Sequence, residues 1–177
     1  MPKYRVERHP VTQPSDPSIR LIPLTQGQNA IVDATDFDWL SQWNWCAYFD
    51  PTTKSFRAAR PHPTVYMHRE ILGCAEREEG DHRNHDTLDN RRGNLRKCTP
   101  AQNKANKRKY AKGSSRYKGV RWHKMSRKWE AYIGASTSHQ YLGLFISEED
   151  AARAYDVAAL ELYGDFAHLN FPHQATE

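Results

Sequence analysis

An α+β fold is predicted by three features of the chain. Short apolar-rich runs with turn residues between them recur through the N-terminal half and again after residue 116. Two helix starts carry well-formed caps, and in two places a set of strands is closed by a single helix. The length of 177 residues leaves room for one ordinary domain or two small ones, and a hydrophobic content of 38% favours small modules joined by polar segments.

Residues 1–18 hold four of the ten prolines without periodicity and read as a mobile tail. Residues 19–72 form a β-rich segment with strands at "IRLIPL", "NAIVD", "WNWCAYF", "SFRAAR" and "TVYMHREIL". The stretch "DFDWLSQWN" reads as a helical turn, and Trp39, Trp43 and Trp45 as core, because large aromatics dominate burial in small domains. Residues 73–110 form one unit: a strand at "EEGDH", a polar loop, a return strand at "LRKCT" and a helix. That helix starts at Thr99, a good N-cap, followed by Pro100, whose missing N–H costs nothing there. A linker at 111–116 leads to a last module at 117–173. Its strands are "YKGVRWHK", "KWEAYIGA" and "QYLGLF", and its helix is capped by Ser147, carries Glu148, Glu149 and Asp150 in the first turn and ends at Gly164. Ala151, Ala154, Ala158 and Leu162 recur at helical spacing and predict a small-residue face lying against the sheet, a three-stranded antiparallel sheet packed on one helix.

Charge is concentrated. Residues 81–112 hold ten Lys and Arg against three Asp, and 114–129 hold six against no acid, within a net charge of +5. The final helix is acidic. Two basic blocks predict a polyanionic partner, with a solvated surface as the plainer reading. No apolar run approaches the ~18 residues that span a bilayer, and no signal-peptide pattern follows the start, so no membrane is implied. Cys46, Cys74 and Cys98 are odd in number and lack a Cys-x-x-Cys pair, which predicts reduced thiols in an intracellular, cytoplasmic setting.

"GDHRNHDTLDNRRGNLRKCTPAQN" carries the residue types that hold a hard divalent metal and move protons. A strand–loop–strand–helix unit brings Asp81, His82 and Asn103 around one point. Asp81 and Asn103 would offer a metal an anionic and a neutral oxygen, with water and phosphate completing the shell, as magnesium prefers; manganese is the alternative ion. His82 would take a proton from the attacking water, Asn94 would pin the loop, and Lys104, Lys107 and Arg108 would hold the DNA backbone. An EF-hand calcium loop fails because Arg83 and His85 occupy ligand positions. A zinc site from Cys74, His82, His85 and Cys98 has no familiar spacing. A polar loop serving only its own hydrogen bonds remains as an alternative.

On Asp81, His82, Asn94 and Asn103, together with "LDNRRGNLR" and "MHREIL", this stretch resembles the ββα-metal (His-Me finger) unit of HNH homing endonucleases common in phages, with Asn103 where the family name has histidine. The segments "YKGVRWHK", "KWEAYIGA", "YLGLF", "AARAYDVAALELYG" and "AHLNFP" resemble the DNA-binding domain of plant ethylene-response factors, the apetala-two type. That resemblance implies a sheet laid in the major groove with a helix behind it. Arg121 matches a base-contacting arginine, suited to guanine. Lys118 and His123 stand where that family has arginines, Tyr141 where it has tryptophan, and Gly134 where it often has arginine. Trp129 reads as core, and Trp122 as core or contact.

Together these predict a metal-dependent, site-specific DNA endonuclease of homing type, acting on double-stranded DNA with no obligate protein partner and located in the host cytoplasm if phage-encoded. The alternatives are a non-catalytic, sequence-specific DNA-binding regulator whose nuclease unit has decayed, and an RNA-directed nuclease.

Overall fold

In a computed structural model of the protein, residues 8–109, 113–135 and 138–172 are described. Residues 1–7 of the expected tail, Ala111 and Lys112 of the expected linker, and His173 at the end of the last expected module lie outside them. The chain divides into two compact units, Met1–Cys98 and Thr99–Glu177. The division falls inside the stretch 73–110 that the sequence groups as one unit.

The first unit begins with a hairpin of β1 (Ile19–Pro23) and β2 (Asn29–Asp33), in which Ile22 faces Ala30. Helix α1 (Ala34–Leu40) follows where the sequence predicts a helical turn. Strands β3 (Cys46–Asp50), β4 (Ser55–Arg60) and β5 (Val65–Tyr66) form an antiparallel sheet in that order. The run "TVYMHREIL", read as a strand, gives only β5; Met67–Leu72 is helix α2. Its residues explain the difference. Met, Arg, Glu and Leu are good helix formers, Met67 and Ile71 recur at i, i+4 on the buried side, and Gly73 ends the helix in the left-handed region at φ 58°. The unit closes with β6 (Glu79–His82) and β7 (Leu95–Cys98), paired antiparallel so that Asp81 faces Arg96.

One core joins these elements through Ile22, Leu24, Val32, Leu40, Trp45 and Met67. Trp45 is fully buried and its indole N–H donates to the Leu40 carbonyl at 2.8 Å, so its one polar atom is satisfied. Trp39 packs at the core's edge and donates to Asp36. Trp43 departs from the core expectation: it is 46% exposed, with the Arg60 guanidinium 3.9 Å from its ring centre.

The second unit opens with α3 (Pro100–Asn106), where the expected cap is a full capping box: Thr99 accepts from the Gln102 N–H and Gln102 accepts from the Thr99 N–H. Strands β8 (Val120–His123), β9 (Lys128–Ala135) and β10 (Ser138–Phe145) form an antiparallel sheet with β9 central. Helix α4 (Glu148–Tyr163) is capped by Ser147, whose hydroxyl accepts from Asp150 N–H, and ends at Gly164 before a 3-10 turn at Gly164–Phe166. The face that α4 buries is Ala151, Ala152, Tyr155, Asp156 and Ala159. This is rotated from the predicted stripe, which places Leu162 inside although it is exposed. Tyr155 sets the rotation: its ring needs the sheet, and the alanines beside it allow close approach.

Asp156 ties the end of the unit to its beginning. Its carboxylate accepts from the Asn170 and Phe171 amides at 2.8 Å each. Asn170 in turn accepts from Lys118 N–H at 2.7 Å and donates to the Lys118 carbonyl at 3.0 Å. A buried carboxylate with this many donors remains satisfied without solvent.

Candidate nucleic-acid interface

The polar loop between β6 and β7 is held by its own side chains. Asn94 donates from Nδ2 to the Asp89 carbonyl at 2.8 Å and accepts at Oδ1 from Asn84 N–H at 3.0 Å. Asp89 is buried and accepts from Arg91 and from Asn84 Nδ2. Arg92 fixes the loop's far side, donating from Nε and Nη2 to the Asp36 carboxylate, each at 2.8 Å, while its own N–H reaches Asp33. The loop also joins the sheet system, since Ile31 N–H donates to Leu88 and Asn90 N–H donates to Ile31.

Asp81 is buried and its Oδ2 accepts from Arg96 Nε at 2.9 Å and Nη2 at 2.8 Å, with both side chains 7% exposed. His82 is buried, its Nε2 3.4 Å from Asn90 Oδ1 and its ring 4.9 Å from that of His68. Burial holds the His82 ring below the usual histidine range, against the opposing influence of Asn90 and Asp81. Asp81, His82 and Asn94 thus lie in the first unit, whereas Asn103, Lys104 and Lys107 belong to the second. Among the described residues no group of three or more His, Cys, Asp or Glu is arranged to hold a metal ion, including the four weighed for zinc.

His68, which the sequence reading passes over, is the most perturbed base of this region. Burial, then the nearby charges of His82 and Arg57, push its ring down to about 3. The unfolded ring takes a proton near 6.5, so between those values the unfolded chain binds more protons and stability falls as pH is lowered. His68 alone is expected to remove about 2 kcal/mol between pH 7 and pH 5, above the carboxylate range, and His82 adds in the same direction. Urea midpoints at the two pH values should show the fall, and a His68→Gln chain should show a smaller one. Equal pH dependence in both would refute this assignment.

In the second unit the sheet presents a mixed basic and aromatic face. Arg121 on β8 lies opposite Glu130 on β9, and its Nε and Nη2 donate to the two carboxylate oxygens at 2.9 Å each. Its side chain is still 58% exposed. The guanidinium carbon lies 5.1 Å from the Tyr132 ring centre, and Tyr132 faces the exposed Tyr141 across to β10. His123 faces Lys128, and its Nδ1 accepts from Ser126 N–H. On the other side of the sheet Trp129 packs against the core while Trp122, 5.0 Å away edge-on, is partly exposed.

The remaining cations differ in placement. Lys104, Lys107 and Arg108 are exposed on and just after α3. Lys118 turns inward, its ammonium donating to the carbonyls of Ala105 and of Lys107, the latter at 2.8 Å. Burial lowers it to about 8. Glu130 and Tyr132 are absent from the sequence-derived residue set. The signal was Glu130 in "KWEAYIGA", the first acid after the basic block 114–129, which gains meaning only once the register puts it beside Arg121.

No protein-family model matches the chain. The AP2-like ethylene-responsive transcription factor AIL7 of Arabidopsis thaliana is 44% identical over 64 residues, which is 35% of this chain and 13% of that protein. The APETALA2-like protein 2 of Oryza sativa subsp. indica is 48% identical over 64 residues, 35% of this chain and 14% of its own length. The AP2-like ethylene-responsive transcription factor ANT of Arabidopsis thaliana is 44% identical over 64 residues, covering 35% and 12%. The matched stretch thus spans only 12% to 14% of these curated relatives. Two of the three, AIL7 and ANT, are named as transcription factors. That finding overturns the expectation of an endonuclease, and the pairing of Asp81 with Arg96 gives the carboxylate assigned to a metal a different, internal use. Among the described residues no helix is long and apolar enough to cross a membrane. Over about a third of its length, this chain is similar to AP2-type transcription factors.

Proposed function

We propose that the protein is a non-catalytic regulator that binds double-stranded DNA sequence-specifically, with the β8–β10 face in the major groove. The observation that carries this reading is the Arg121–Glu130 pair. It uses Nε and the inner side of Nη2, so the planar guanidinium is held rigid while Nη1 and the outer hydrogen of Nη2 point away from the carboxylate. Those two outer donors are the fork that meets O6 and N7 of guanine. Tyr132 beside it and Tyr141 across from Tyr132 supply apolar surface that needs no rearrangement on binding. The similarity to transcription factors supports the same reading.

Loss of a bidentate guanine contact costs about 1–3 kcal/mol of discrimination at one base pair. Arg121→Ala should therefore flatten selectivity at a single position of the site selected from random duplexes. Arg121→Lys should not restore it, because an ammonium lacks the fork. Full selectivity in Arg121→Ala, with only a shallower salt dependence, would refute base reading by this residue.

A further inference from the structure

Helix α3 lies outside the module that the sequence predicts for DNA recognition, yet it is bonded into the second unit at several points. His168 N–H donates to the Ala105 carbonyl at 3.2 Å. Lys118, two residues before β8, donates its ammonium to the Ala105 and Lys107 carbonyls, where the helix end concentrates partial negative charge. Beyond the helix, Lys109 donates to the Ser115 carbonyl, and Ser114 Oγ accepts from the Trp122 N–H of β8 at 2.8 Å. The chain leaving α3 is thus tied to the edge strand of the sheet.

We propose that α3 is part of the DNA-binding surface, with Lys104, Lys107 and Arg108 contacting phosphates beside the base pairs read by the sheet and Lys118 acting as the positioning residue that holds the helix there. The inference rests on the DNA-reading proposal above. Distance supports it: Lys118 and Arg121 are three positions apart, which a chain spans in at most about 11 Å, or roughly three base-pair steps of duplex. Lys104 on α3 and Lys107 and Arg108 just after it are exposed, and the end of the helix is bonded to the residue three positions before the base-reading arginine, so their charge is available to the backbone beside that contact. Lys118 itself, satisfied by two carbonyls, has its donors directed into the protein rather than toward a phosphate.

The experiment uses the full chain and a duplex selected from random DNA, with binding measured at several salt concentrations. Each phosphate contact contributes a slope of about 0.9, so the triple variant Lys104→Ala/Lys107→Ala/Arg108→Ala should lose about 2–3 units of slope and keep its base preference. Lys118→Met should lose slope in the wild-type background and none in the triple variant, and the His168 amide should lose hydrogen-exchange protection. An unchanged slope in the triple variant, with selection and its Arg121 dependence intact, would overturn this inference alone. A further loss of about one unit when Lys118→Met is added to the triple variant would make Lys118 a phosphate contact and overturn the positioning role. A wild-type chain that selects no duplex would remove the DNA-reading proposal together with this one.

Discussion

Gly119→Ala is expected to destabilise the second unit by about 2–5 kcal/mol and to abolish selective DNA binding with it. Two costs coincide at this position. The backbone has φ 72°, in the left-handed region that a Cβ disfavours by about 1–2 kcal/mol. An added Cβ would also stand 1.9 Å from Cδ2 and 2.5 Å from Cε2 of Tyr155. That ring is 4% exposed, packed with Ile133 and Ala159, so it has no room to swing aside. Overpacking a filled core costs a further 1–3 kcal/mol or about that. The backbone change would propagate to Lys118, whose N–H and carbonyl are both bonded to Asn170, and to β8, which carries Arg121. Denaturant unfolding followed by amide exchange should show loss in 99–177 and preserved protection in the β1–β2 hairpin. A variant within about 1 kcal/mol of wild type would mean that the close approach of Gly119 to Tyr155 is not a constraint.

What the sequence made legible was whatever depends on neighbouring residues. Thr99-Pro100 and Ser147 marked helix starts and Gly164 a helix end because capping is decided within a few positions. The "EEGDH" and "LRKCT" strands and the three C-terminal strands were found from short-range pattern alone. The losses came where a distant contact decides. Met67–Leu72 looked continuous with Val65–Tyr66 because its apolar residues fit either period, and only packing into the first core selects the helix. The α4 stripe was placed one position off because an alanine pattern fits several faces until Tyr155 takes one.

The candidate site divides the same way. Arg121 on a basic strand was readable, but its partner Glu130 required the β8–β9 register. Lys118 looked like another surface cation, and its inward turn depends on where α3 ends. Asn94 bonds across the loop between β6 and β7, while Asp81 and His82 lie buried on β6 at its base. Residue types suited to metal chemistry are also those that stitch a buried polar loop, and spacing alone does not distinguish the two uses.

The buried pair at the centre of that loop's base gives the largest effect in the first unit. Arg96→Met is expected to cost about 3–5 kcal/mol, because it leaves the Asp81 carboxylate buried without its counter-charge. The two face each other across β6 and β7, and Arg96 holds Asp81 Oδ2 with two donors at 2.8 and 2.9 Å. Asp81→Asn removes the charge yet keeps an oxygen that can accept from Arg96, so its cost should be smaller. The double variant Asp81→Asn/Arg96→Met removes both charges and should recover most of the loss of Arg96→Met, since a buried ion pair is often no better than a neutral replacement of similar size. A double-mutant cycle on urea unfolding at pH 7 should therefore give a coupling energy above about 1.5 kcal/mol. Selective DNA binding through Arg121, which lies in the other unit, should survive Arg96→Met at temperatures where the first unit is weakened. An Arg96→Met chain as stable as wild type would show that Asp81 finds enough other partners or solvent to stand alone, and the pair would then not be what holds β6 against β7.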